Sequence, residues 1–94
     1  MGFFKAKVTT MFLGKDVHYI RRTKWGRVRE HVVVNASHKQ ELPSIKWAKE
    51  KAYKVTKGRG WAPGFKLQFI AFGDTTMNER CRLSTPVVFR VVGK

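Results

Sequence analysis

Alternation of apolar and polar positions dominates the first third of the chain. Over residues 3–12, Phe4, Ala6, Val8, Thr10 and Phe12 fall on one face and Phe3, Lys5, Lys7 and Thr9 on the other, the period-two pattern of a β-strand. Gly14-Lys15-Asp16 marks the turn that ends it, and two further strands are predicted over residues 17–22 and 27–36. Trp25-Gly26 is the predicted turn between those two, since glycine accepts the positive φ of a tight hairpin. With these residues at the tip, Lys24 faces Arg27, Arg22 faces Arg29, Arg21 faces Glu30, Tyr19 faces Val32 and Val17 faces Val34. One face of the hairpin then carries Val17, Tyr19, Val32 and Val34, and the other gathers His18, Arg22, Arg29 and His31. Two directly opposed arginines repel, so they either splay into water or hold an anion between them.

The period changes after residue 42. Leu42, Ile45, Ala48, Ala52 and Val55 recur at three- and four-residue spacing, Pro43 suits a first helical turn, and Gly58 suits a position just past the end. Ser37 and Gln40 have capping-box spacing, but Pro43 would interrupt a helix begun there, and residues 37–42 are predicted as a turn. Trp47 lies roughly 160° from the mean of the apolar stripe, beside Lys51 and Lys54. A tryptophan there is either covered by a loop or by lysine stems, or presented to a base or a partner. Residues 56–64 form a Gly/Pro-rich loop, followed by a strand over 65–72. A polar connection over 74–82 leads to a last strand over 86–92, with Val87, Phe89 and Val91 on one face.

The order βββαββ predicts a small single α+β domain over residues 1–94, with one helix packed on an antiparallel or mixed sheet of about five strands. Residues 14–34 also loosely resemble the KOW motif of small SH3-like barrels that bind nucleic acid, with Val17, Ile20, Gly26, Val28 and Val32 in the matching positions. That resemblance implies an alternative fold, an SH3-like or OB-like small barrel with an inserted helix.

Charge bears on the partner more than on the fold. Twenty Lys and Arg against six Asp and Glu give a formal net charge of +14 in 94 residues. Such an excess repels itself in a compact chain and draws polyanions, so nucleic acid is the expected partner. With 43% hydrophobic and 13% aromatic residues the chain supports a core, unlike a basic tail. A domain of this size buries about 60–65% of its unfolded surface, which leaves little for a deep substrate cavity. The start lacks an apolar signal-like run, no stretch approaches a membrane span, and Cys81 has no second cysteine, so a soluble cytoplasmic chain is expected, nucleoid association included. Ala6 stands where a myristoylation signal has Ser or Thr, so no lipid anchor is expected.

Three basic clusters are the candidate site. The hairpin tip supplies Arg21, Arg22, Lys24, Arg27 and Arg29; the helix supplies Lys46, Lys49, Lys51, Lys54 and Lys57 beside Trp47; and the following loop adds Arg59 and Trp61. Only Glu30 and Glu50 interrupt them, whereas an ordinary surface intersperses both signs. Arginines at the hairpin suit bidentate contact with phosphate, and the helix lysines act as point charges that tolerate any sequence. The loop adds main-chain N–H groups for a phosphate and a ring for a base. Carboxylates are scattered, without the paired spacing of a metal-ion nuclease, and His18, His31, His38 and Cys81 lack zinc-knuckle spacing. Cys81 between Arg80 and Arg82 has surroundings that lower a thiol pKa, although a plain free cysteine is the commoner case.

The expectation is a non-enzymatic nucleic-acid-binding protein of low sequence specificity, without metal or cofactor, that reads phosphates. DNA is favoured slightly over RNA because two basic surfaces suit a broad duplex. The alternative is a small interaction or inhibitor protein whose basic face docks on an acidic protein, with Trp47 or Trp61 as anchor.

Overall fold

The computed structural model describes residues 7–39, 42–58, 66–77 and 82–92. Strands β1 (Lys7–Gly14), β2 (Val17–Lys24) and β3 (Arg27–His38) precede helix α1 (Ile45–Gly58), and β4 (Lys66–Phe72), β5 (Thr76–Met77) and β6 (Leu83–Val92) follow it. All ladders are antiparallel and form one six-stranded sheet in the order β1-β2-β3-β6-β4, with β5 pairing to β6 beside β4. The last strand thus inserts between β3 and β4. No ladder among the described residues joins β1 to β4.

The hairpin register is the one that the alternation and the Trp25-Gly26 tip dictate: Lys24↔Arg27, Arg22↔Arg29, Arg21↔Glu30, Tyr19↔Val32 and Val17↔Val34. Trp25 and Gly26 both have positive φ, 56° and 75°, the signature of a two-residue turn whose twist matches that of the strands. Several boundaries differ from the sequence expectation. The second strand runs on through Lys24 and the third through His38, because Ser37 and His38 pair with Ser84 and Leu83 instead of forming a turn. The stretch expected as a polar connection contributes β5, whose Thr76 and Met77 pair with the same two residues. Residues 3–6 of the expected first strand, and the glycine-rich loop after the helix, lie outside the described residues.

Helix α1 begins at Ile45, with Pro43 outside it and Ser44 as its cap. The Ser44 carbonyl accepts the Ala48 N–H at 3.1 Å, and its hydroxyl accepts the Trp47 N–H at 3.2 Å. The buried stripe is Ala48, Ala52 and Thr56, rotated from the expected one, with Leu42 and Ile45 exposed. Thr56 is tolerated there because its hydroxyl reaches back to the carbonyls of Ala52 and Tyr53, at 2.9 and 3.0 Å. Alanines let the helix approach closely, and at the β1–β2 corner Gly14 serves the same end: a Cβ there would sit 3.3 Å from Cγ1 of Val55. The Tyr53 hydroxyl accepts the Leu67 N–H at 2.7 Å, tying the helix to the start of β4.

One face of the sheet and this helix enclose the core of Val17, Tyr19, Val32, Val34, Leu67, Val87 and Phe89. A bulge between Phe12 and Gly14 turns the extra residue, Leu13, into that core. Beyond the Tyr19↔Val32 pair the helix no longer covers the sheet. The far ends of β1, β2 and β3 continue as an arm exposed on both faces, reaching about 20 Å from Tyr19 to the Trp25 tip at strand rise. The radius of gyration, 14.5 Å, exceeds the roughly 12 Å expected for a compact domain of this length.

Candidate nucleic-acid interface

Register decides which cations meet. On the sheet face turned away from α1, the ladders align three rows: Val8, Arg22 and Arg29; Thr10, Ile20, His31, Arg90 and Gln68; and Phe12, His18, Val33, Val88 and Ala71. The same alternation adds Lys24 and Arg27 toward the tip and Lys66 on β4. Six cations therefore share one face, and all six are exposed. The described carboxylates lie elsewhere. Asp16 is in the β1–β2 turn, Glu50 on the helix and Asp74 in the β4–β5 connection, while Glu30 faces the core side, where the Tyr19 hydroxyl donates to its Oε2 at 2.5 Å. Burial, and then that carboxylate, push the Tyr19 hydroxyl up to about 12, so it remains a donor at neutral pH.

His31 registers the charge of this face. Its pKa is lowered from the ordinary 6.5 first by burial and then by Arg22, Arg90 and Arg29, so three guanidinium groups surround one imidazole from three neighbouring positions. His18 is lowered by burial alone. The Phe12 and His18 rings stand 6.0 Å apart, tilted by 52°, and Phe12 is 73% exposed. At the tip Arg22, Lys24, Trp25, Arg27 and Arg29 line a hollow of about 610 Å³.

Of the expected site residues, the structure brings Arg22, Lys24, Arg27 and Arg29 onto this face and points Arg21 to the other side of the arm, opposite Glu30. The helix cluster lies on the opposite side of the sheet. Lys46, Trp47, Lys54 and Lys57 are exposed there, but Lys51 is engaged: its ammonium lies 3.5 Å from Asp16 and 5.1 Å from the centre of the Trp47 ring. Trp47 is thus half-exposed with a lysine over it, in a hollow of about 400 Å³ that it shares with Glu50, Lys51, Lys54 and Val55. Arg59 and Trp61 lie outside the described residues. The two basic surfaces on which the preference for duplex DNA rests therefore lie on opposite faces of the sheet. Arg90, Phe12 and Trp25 were not among the expected site residues; Arg90 joins the site only through the β3–β6 register.

Comparison with family models, with curated proteins and with solved structures finds no match to this chain. No helix among the described residues is long and apolar enough to cross a membrane.

Proposed function

We propose that the protein binds nucleic acid by its phosphates, with little sequence preference and without catalysis, through the sheet face turned away from α1 and the hairpin arm that continues it. The observation that carries this reading is the sorting of charge: Arg22, Lys24, Arg27, Arg29, Lys66 and Arg90 share one face whose described ladder positions hold no carboxylate. Unscreened repulsion among them costs stability in the free protein and is relieved by a polyanion. Guanidinium groups spread over neighbouring strands suit successive phosphates better than one compact anion. The helix lysines, placed across the sheet with Glu50 and Asp16 among them, are a secondary electrostatic surface.

Salt titration tests the proposal. With about five to eight phosphates neutralised, binding to a long duplex falls with a log–log slope of roughly −4 to −7 and changes little with sequence. A slope near −1, or strong preference for one sequence at fixed salt, overturns it. Co-purification at low salt with and without nuclease addresses the rival reading, in which an acidic protein stays bound after the nucleic acid is digested.

A further inference from the structure

Building on that reading, we propose that the ligand is a single strand of nucleic acid, whose bases stack on Trp25 at the arm tip and on Phe12 at the other end of the face turned away from α1 while its phosphates run over the arginines between. Three observations converge on it. Trp25 and Phe12 are large aromatics exposed to 64% and 73%. The cations lie between them: from the Phe12–His18 row to the Lys24–Arg27 row is about 20 Å along β2, and Arg22, Arg29 and Arg90 fall within that interval. A base presents a π-face to such rings only when it is unpaired, whereas a duplex offers phosphates alone to the same surface.

The backbone at the tip is the third observation. Trp25 holds φ at 56°, a region where Asn or Gly sits easily and a bulky side chain is an outlier. Asn-Gly would make a more stable turn, so the tryptophan is there at a cost to folding, and strain of that kind collects at ligand-contacting positions. Its ring also lines the basic hollow of the arm, so one nucleotide meets a stacking surface and cations together.

The experiment compares a fluorescein-labelled oligothymidine with a blunt duplex of equal length at matched salt, for the parent chain and for Trp25→Asn, Phe12→Ala and the double variant Arg22→Gln/Arg29→Gln. The parent is expected to bind the single strand more tightly. Trp25→Asn and Phe12→Ala each weaken single-strand binding roughly tenfold and leave duplex binding unchanged. Trp25→Asn should also raise the melting temperature, which separates loss of the ring from loss of fold. The arginine pair should reduce the salt slope on the single strand by about 1.4. Tighter duplex binding by the parent, or aromatic variants that bind the single strand as the parent does, overturns the single-strand inference; if the arginine pair still weakens binding, phosphate recognition stands. Failure of the parent to bind either probe overturns both.

Discussion

The two faces of the sheet are written in the same strands yet differ in nearly every physical respect. The face under α1 is built from Val, Phe, Leu and Tyr against Ala48 and Ala52, and its buried threonines are hydrogen-bonded: Thr85 bonds to Thr75 and His38 at 2.7 and 2.6 Å, and Thr56 to its own helix, while Nδ1 of His38 is buried without a partner among the described residues. The other face carries arginines opposite one another and an exposed phenylalanine. Because side chains alternate, each face constrains the other. Burial of Tyr19, Val32 and Phe89 sets the register, and the register then fixes Arg22 beside Arg29 and His31 beside Arg90. A slip of one residue would turn Tyr19, Val32 and Phe89 out of the core, so the core holds a repulsive charge pattern in place.

The largest expected effect separates the faces by their phenylalanines. Phe89 is wholly buried at the centre of the sheet, and Phe89→Ala should cost about 3–5 kcal/mol of folding free energy. Phe12→Ala, with its ring 73% exposed on the face turned away from α1, should stay within about 0.5 kcal/mol of the parent. Urea melts of the two variants measure the contrast. A large loss for Phe12→Ala would mean that its face is covered and would remove it from the site.

Next comes the arginine pair. Arg22→Gln/Arg29→Gln removes a repulsion in the free protein and two phosphate contacts in the complex, so melting temperature should hold or rise while the duplex salt slope falls by about 1.8. These effects have opposite signs. Lower stability with unchanged binding would show that the pair has a structural role in the arm instead.

How far the sequence foretold this contrast depends on the distance over which each feature is specified. The β2–β3 register was legible in full because it is local, set by Gly26 at the tip and by alternation on either side. The place of β6 between β3 and β4 was not, since no local signal ranks two apolar strands by neighbour; Arg90 was missed with it. Thr56 escaped the helix stripe because its polarity hides a satisfied hydroxyl, and Ser44 was passed over as a cap beside the more conspicuous Pro43. The sequence marks Trp25 only as a turn residue, and its strain becomes visible only as a dihedral angle. The basic clusters were legible by composition, but whether they share a surface depends on the layer to which the helix packs.

A smaller effect belongs to His31. Its folded pKa lies below the ordinary 6.5, so the unfolded chain takes up a proton first as pH falls. The associated stability is therefore complete above that range and is lost on acidification through and below about pH 6.5. On this face His31 meets Arg22, Arg29 and Arg90, with Ile20 its partner on β2 and Gln68 beyond Arg90. A phosphate among those arginines offsets their repulsion and raises the imidazole pKa, so binding should take up a proton and tighten as pH falls from about 7.5 to about 5.5. In His31→Gln the tightening should shrink and the stability curve flatten, with a residual slope from His18. Parallel pH titrations of melting and of affinity read both; equal pH dependence in parent and variant would place the anion elsewhere.

The smallest expected effect comes from the opposite side of the sheet. Trp47 is 46% exposed, and its ring lies under the Lys51 ammonium that also approaches Asp16. Trp47→Ala should therefore lose about 0.5–1 kcal/mol of stability, the scale of an exposed cation–π contact with some lost packing, and not the several kcal/mol of a core tryptophan. Its effect on nucleic-acid affinity should be slight, because the ring is separated from the arginine face by the thickness of the sheet. This null result is informative because Trp47 matches Trp25 in chemistry, an exposed indole among cations, and differs in which face it shares. If Trp47→Ala instead weakened binding as much as Trp25→Asn, the ligand would have to contact both sides. An extended partner wrapping the thin edge of the domain would then replace the one-faced interface.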